Sequence, residues 1–340
     1  MKNKIQILNA QGEPIVLNQR EQYLANMNQK KVNSLGFEID VTTLTTIMKK
    51  VTEQKFFELA PADYLPLRVG EGAWSSNLTT YRSFALGDDF ESGIINSGKS
   101  NSKLAGADAG VDSITVDVKN WAKEIGWTLF ELQQASKSGN WDLVTAKERA
   151  RKKNWDLGIQ KVAFLGIENN SAINGLLTQA GVSINTTTIT KRISSMTGAE
   201  LKAFVAAILA DYRTNCDRTA WPTHFIIPED DYLGLASPSN ADFHIKSQLE
   251  VLEDMFKIMT KKQDFKILSN AYGESAHNSL GVDRYVLHNY DEESLRMDIP
   301  VDYTSTLANS IDNFSFQNVG YGQFTGAQAY RPKEMLYFQF

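Results

Sequence analysis

Twenty-six consecutive residues, 87–112, read GDDFESGIINSGKSNSKLAGADAGVD, and few of them have anything to bury. Gly, Ser, Asn, Asp and Ala dominate the segment, a composition that does not drive packing by itself. A loop of roughly 25 residues inside a compact domain is uncommon unless it has a task. On both sides the pattern turns to strand. Residues 78–86 centre on Tyr81 and Phe84; in residues 113–121, Ile114, Val116 and Val118 alternate with Thr115, Asp117 and Lys119. The simplest path is a long two-stranded arm. An isolated two-stranded ribbon is marginal in water, so this pattern calls for a covering surface elsewhere.

A long helix follows. From Asn140 to Phe164 there is no Pro and one Gly, Gly158. Asn140 is placed as the N-cap, with Asp142 near the positive end of the helix. A segment of that length spans about 35 Å, which is long for a globular protein. It carries one apolar stripe of Leu143, Ala146, Ala150, Leu157 and Phe164 and a second of Trp155, Ile159 and Val162. Its middle, Lys147–Lys153, is KERARKK.

The remaining chain reads as mixed α/β. Val41, Leu44, Ile47, Met48 and Val51 repeat at helical spacing over 40–57, whereas residues 1–35 are polar and aperiodic. Thr197-Gly-Ala-Glu200 fits a capping box opening a helix through FVAAILADY. HFIIP (224–228), 265–268 and 284–288 are expected strands; Asp230–Leu235 and Ser247–Met259 are expected helices. The segment 321–340 is strand-like and aromatic.

Charge excludes little by its sum, −5, and more by its distribution. Residues 1–170 hold 21 basic and 20 acidic side chains, net +1; residues 171–340 hold 14 and 20, net −6, and so are a poor phosphate grip. The lone Cys216 has no partner for an internal disulfide, which fits a reducing compartment. The aliphatic run Phe204–Ala210 is about a third of a membrane span, and MKNKIQILNAQGE lacks the apolar core of a signal peptide. Synthesis in the cytoplasm, with no membrane partner, is the expectation.

Motifs for chemistry are weak. Arg68–Trp74 contains a bare GxG without the third Gly of a dinucleotide site and reads as a turn. Pro228-Glu-Asp-Asp-Tyr232 offers three hard oxygen ligands for Ca²⁺ or Mg²⁺, but acidic residues at a helix N-terminus complement its dipole, and that reading is preferred. Asp291-Glu-Glu293 before Ser294–Met297 is read the same way. His224, among Pro222, Phe225 and Ile226, reads as a half-buried strand residue, and Cys216 has no neighbouring His to make it a nucleophile. The other histidines, His244, His277 and His288, are scattered. KERARKK wraps around its helix, which favours a solvated or intersubunit face over a nucleic-acid grip. Trp74, Trp121, Trp127, Trp141 and Trp155 fall in one region, and packing is preferred over base stacking. No catalytic, cofactor-binding or metal residue is assigned.

The order of parts resembles the Hong Kong 97-type capsid fold of tailed-phage major capsid proteins. Phe130-Glu-Leu-Gln-Gln-Ala135 is similar to the family's entry to the spine helix. Gly166-Ile…Ile173-Asn-Gly-Leu-Leu177 is similar to the Gly-Leu-Leu-Asn signature where the chain leaves that helix, with Thr178 in place of Asn. Arg331-Pro-Lys-Glu-Met335 is similar to the turn before the last strand. The resemblance implies an α+β fold: an N-terminal arm (1–35), an extended β-hairpin loop (69–121), a peripheral domain with the spine helix (36–68, 122–172 and 322–340) and an apical domain (173–321). It implies a shell subunit that forms pentamers and hexamers around phage double-stranded DNA, touching that DNA without specificity. Expected partners are copies of itself, a separate scaffolding protein because residues 1–35 are too short to include one, a portal and a decoration protein. Lys99 and Lys103 lie where some members crosslink lysine to asparagine. Two alternatives stay open: an encapsulin-like nanocompartment shell, and a soluble α+β enzyme using 87–112 as a lid.

Overall fold

The computed structural model describes residues 55–86, 108–137, 142–168, 170, 172–237, 246–312 and 314–339. Residues 1–55 with 134–141 form one compact unit, and 56–133 with 142–340 form another. Of the first, only Lys55 and the Gln134–Lys137 stretch are described. The arm 1–35, most of the expected helix 40–57, Lys99, Lys103, Asn140, Trp141 and His244 lie outside the described residues.

The second unit opens with a one-turn 3₁₀ helix at Pro61–Asp63 and strand β1 (Leu67–Val69). Strands β2 (Asn77–Leu86) and β3 (Asp108–Asp117) pair antiparallel over ten residues; β3 begins five residues before the expected strand 113–121, inside the segment read as loop, and residues 119–121 belong to the next strand. One residue later β4 begins (Lys119–Thr128), a strand missed in the sequence reading, and it leads into α1 (Leu129–Lys137). Helix α2 (Leu143–Leu165) has 23 residues. Its N-cap is Asp142, whose carboxylate accepts from Thr145 N–H, and not Asn140. Next come β5 (Ser183–Asn185), α3 (Gly198–Asn215) with the expected Thr197/Glu200 capping box, β6 (His224–Pro228), α4 (Glu229–Ala236), α5 (Gln248–Thr260), β7 (Lys266–Asn270) and β8 (Arg284–His288). The chain ends with β9 (Leu295–Ile299), β10 (Val301–Ser305), β11 (Asn309–Ser310), β12 (Ser315–Phe324), β13 (Ala327–Ala329) and β14 (Met335–Gln339).

Asp291-Glu-Glu293 does not cap a helix. The apolar run after it is β9, paired parallel to β1 and antiparallel to β13. The acidic residues instead serve Arg331, which pairs with Glu293 at 2.5 Å and Asp291 at 3.6 Å.

A five-stranded sheet, in the order β5-β14-β8-β6-β7, separates two cores. Along its strands alternate side chains point to opposite faces. Ile226, Val286, Met335 and Tyr337 join Trp155, Ile159 and Phe164 of α2. Phe225, Ile227, Leu287, Leu336 and Phe338 join Phe204 and Ile208 of α3 and Leu252 and Phe256 of α5. A strand covered on both faces needs a continuous apolar run, and MLYF supplies it. Segment 322–340 therefore divides. The end of β12 pairs with β4, while β14 pairs with β8 and β5 in the sheet built from residues 183–288.

The second sheet places the long helix. Strand β12 pairs antiparallel with β4 over its full length and with β10 and β11 on its other edge. Asn318, Gly320, Gly322 and Phe324 alternate toward α2. A Cβ on Gly320 would lie 2.5 Å from Arg151 Nε, and one on Gly322 would lie 2.5 Å from the Trp155 ring. The two glycines let the helix lie flush on the strand. The Trp155, Ile159 and Val162 stripe faces inward, extended by Arg151; of the other stripe Phe164 is buried and Ala150 is exposed.

Candidate functional site

Each of the three short motifs does local structural work. Helix α2 leaves its last carbonyls without intrahelical donors. Leu176 N–H donates to Ala163 O at 2.7 Å and Leu177 N–H to Phe164 O at 2.9 Å. The Thr178 hydroxyl donates to Leu165 O at 3.1 Å and accepts from Gly175 N–H at 2.8 Å. The Asn-Gly-Leu-Leu-Thr segment is thus a C-terminal cap folded back on the helix. Gly175 is required there because a Cβ would lie 2.3 Å from the Phe164 carbonyl carbon. Gly166 turns the chain at φ +76°, a conformation that favours glycine.

At the other end, Thr128 and Glu131 cap α1 reciprocally: Glu131 N–H donates to Thr128 Oγ1 at 3.3 Å and Thr128 N–H to Glu131 Oε2 at 3.4 Å. Lys147 of α2 donates to the same carboxylate at 3.1 Å, and this contact, first, holds the Glu131 pKa below its usual range. The Arg331 turn is fixed by Glu293, Asp291 and Glu334.

KERARKK is not a uniformly solvated face. Arg151 is buried and donates to Asn318 O at 3.0 Å, Asn318 Oδ1 at 2.7 Å and Tyr303 Oη at 2.7 Å. Glu148 accepts from Asn318 Nδ2 at 2.8 Å, and Lys153 pairs with Glu58. Lys152 points outward. Trp155 packs on Trp121 at 5.2 Å and on Phe324 at 6.0 Å, and Trp127 stacks on Phe316, so these tryptophans are core and sheet residues. Trp74 is the exception: it is exposed, with φ +65°, and its N–H donates to Gln323 Oε1 at 2.7 Å.

The titratable groups weighed for chemistry are spent on structure. Asp231 of the Glu-Asp-Asp run is buried and accepts from the Ser194 hydroxyl at 2.6 Å and the Tyr285 hydroxyl at 2.5 Å. Burial, and then this bond, push the Tyr285 pKa up. Asp230 pairs with Arg192 at 3.2 Å. His224 and His288 are register partners on β6 and β8, with rings 5.5 Å apart. Burial lowers His224 to about 4 and His288 to about 3. His288 Nε2 lies 2.9 Å from Tyr64 O. Cys216 is buried, its thiol directed at Ala220 O. Among the described residues no three His, Cys, Asp or Glu side chains converge as metal ligands. No helix among them is long and apolar enough to cross a membrane.

What the unit does present is extension. On the hairpin Tyr81 is 73% and Val111 68% exposed, and Ser83, Asp112 and Ser113 are exposed beside them. Phe130, at 70% exposed, packs edge-on to Phe314 at the end of the β4–β12 ladder.

The family described as "Major capsid protein" matches residues 92–339, well over half of the chain. The chain belongs to the major capsid protein family. The fold agrees. The capsid subunit of the myovirus phage XM1 superposes with a TM-score of 0.71 at 17% identity, covering 89% of this chain and 99% of that one. A subunit of the native GTA particle capsid gives 0.58 at 8% identity, covering 89% and 97%. A chain from Mycobacterium phage Ogopogo gives 0.56 at 9% identity, covering 91% and 98%. No curated protein matches. This major capsid protein therefore has the Hong Kong 97-type fold and is a virion shell protein. Its functional surfaces are the faces it presents to other copies.

Proposed function

We propose that this major capsid protein closes into pentamers and hexamers of an icosahedral shell around phage double-stranded DNA, assembling in the bacterial cytoplasm. The observation that supports this most is the β2–β3 ribbon: ten residue pairs, along which Tyr81, Ser83, Val111, Asp112 and Ser113 stand exposed. Such a ribbon is marginal alone and is stabilised when a neighbouring copy covers it. One heterologous contact repeated around an axis generates a closed ring.

In this reading the ribbon within 69–121 is the extended loop, and residues 1–35 are the arm. Helix α2 with the β4–β12–β10 sheet makes up the peripheral domain, and the five-stranded sheet with α3, α4 and α5 makes up the apical domain. Strand β14 goes with the latter. A separate scaffolding protein, a portal and a decoration protein are the further partners. Contact with packaged DNA is non-specific and falls with salt, with Lys152 as one outward cation on the long helix. The subunit carries out no chemistry of its own.

Native mass spectrometry and negative-stain microscopy of the purified chain, alone and with a co-expressed scaffolding protein, test the reading. Pentamers, hexamers or closed shells are expected. A strictly monomeric protein under every condition tried contradicts it.

A further inference from the structure

The point where the hairpin leaves the body is held by one buried carboxylate. Asp298 lies on β9, the central strand of the β1-β9-β13 sheet, and is 2% exposed. Its backbone is pinned on both sides by Thr325, which accepts from Asp298 N–H at 3.1 Å and donates to Asp298 O at 3.0 Å. Its two carboxylate oxygens go to different arginines. Arg68 Nε donates to Oδ1 at 2.8 Å, and Arg296 Nε lies 3.4 Å from Oδ2.

These arginines reach opposite sides of the junction. Arg68 stands on β1, immediately before the Gly70–Trp74 turn that opens the hairpin, and also pairs with Glu71 at 2.9 Å. Arg296 extends past Asp298 to the hairpin itself, where its Nη2 donates to Thr80 Oγ1 at 2.7 Å. The Arg296 guanidinium also lies over the Tyr330 ring at 4.4 Å. The Tyr330 carbonyl in turn accepts from Arg82 of β2 at 3.3 Å. The exit side is short and stiff: Val118 alone separates β3 from β4, and its N–H donates to Ser76 O at 2.9 Å. Beside the junction, a cleft of about 710 Å³ runs between Thr80–Ser83 and the Tyr330–Glu334 turn, so the ribbon has room to swing when it is not held.

We propose that Asp298 is the positioning residue that fixes the angle of the β2–β3 hairpin, acting through Arg68 on the entry turn and through Arg296 on Thr80. A second copy of the chain recognises the hairpin at that angle. This inference rests on the shell reading above. A ribbon with few contacts to its own body has its direction set by the few it makes. A carboxylate shared by two arginines couples the turn and the strand, so that neither moves alone. If the competent orientation drops to a tenth of the population, the apparent affinity between copies falls about tenfold.

The test uses the full chain with spin labels at Ser113→Cys on the hairpin and Lys202→Cys on α3, with pulsed dipolar distances read on unassembled protein. The otherwise unchanged protein should give one narrow distance. Asp298→Asn should broaden it, and Thr80→Val, which removes only the last bond into the hairpin, should broaden it without changing the melting temperature. Both variants should need about tenfold more protein to form shells. If Asp298→Asn does not fold, Thr80→Val decides alone. A narrow distance with shell formation at the usual concentration in Thr80→Val, or in folded Asp298→Asn, overturns the proposal. Failure of the unsubstituted chain to assemble refutes the shell reading instead, and the distances still decide whether Asp298 sets the angle.

Discussion

Strand β14 and the β2–β3 hairpin use their residues in opposite ways. Four successive side chains of β14, Met335 to Phe338, are buried, two in each core. The hairpin has twenty strand residues, and Tyr81, Ser83, Val111, Asp112 and Ser113 among them are exposed. The difference follows from side-chain chemistry. MLYF places large apolar groups at every position, so the strand is stable only with cover on both faces. The hairpin strands alternate Thr, Ser, Arg and Asp with Leu78, Tyr81, Phe84, Leu86, Val111, Ile114 and Val116; Val116, at the base, is buried, whereas Tyr81 and Val111 are exposed. One element holds the subunit together; under the proposed function the other meets a second subunit.

The sharpest way to break this contrast is to remove β14. Burying each large side chain is worth roughly 1.5–3 kcal/mol, so losing four of them rivals the ~5–15 kcal/mol stability of a domain. Deletion of Arg331–Phe340 should yield insoluble or unfolded protein, read by circular dichroism and solubility. A soluble deletion variant that still assembles would show that the strand is dispensable.

A smaller effect is expected where the core meets the long helix. Gly175→Ala forces a methyl group against the Phe164 backbone at 2.3 Å, and Phe164 cannot yield without uncapping α2. Overpacking of this kind should cost about 3 kcal/mol in a denaturant titration. A loss near zero would mean that the cap relaxes freely.

Smaller again is the pH dependence of the buried histidine pair. His224 at about 4 and His288 at about 3 bind protons less readily in the folded state than at the ordinary 6.5 of the unfolded chain. Their contribution to stability is complete above pH 6.5 and is lost as pH falls from there toward 3. Each contributes a slope of at most about 1.4 kcal/mol per pH unit in that window. Replacing His288 by Gln should flatten the decline in melting temperature between pH 6 and 4, a range chosen as roughly the middle of the titration. An unchanged decline would place the acid sensitivity elsewhere.

The least effect is expected on the hairpin. Its Arg82–Asp112 pair lies at 2.8 Å and half-exposed. Exposed ion pairs contribute little, so Arg82→Ala should leave the melting curve unchanged. A clear loss would mean that the hairpin belongs to the folding core.

Local signals in the sequence read correctly wherever one segment satisfies its own chemistry. The Thr197/Glu200 box, the proline-free helix and the HFIIP strand are of this kind. Misreadings came where a distant segment decides. β4 carries Trp121, Ile125 and Trp127 at strand spacing, but Lys123 interrupts that face, and only the β12 partner reveals it. Asp291-Glu-Glu293 looks like a helix cap until Arg331 arrives at the end of the paired strand β13. Arg151 sits in a run that reads as solvated, yet it is buried, with Gly320 clearing space for it, Tyr303 accepting from its Nε and Asn318 from its Nη1. The Asn-Gly-Leu-Leu-Thr motif was legible as a family resemblance; its role as a cap became visible only with the helix end in place. Residues 87–107 of the loop-like segment lie outside the described residues, and the contacts of Asp298 and Arg296 at the base of the hairpin join residues more than 200 positions apart.

The central claim is that the hairpin contributes to assembly and not to the fold. Joining Ser83 directly to Val111 through an Asn-Gly turn removes its outer part while keeping the Arg296–Thr80 contact. Measured beside the full chain, the shortened protein should keep its circular dichroism spectrum and melting temperature and form no shells under the microscope. A shortened protein that unfolds, or one that still closes into shells of the usual size, would contradict the account.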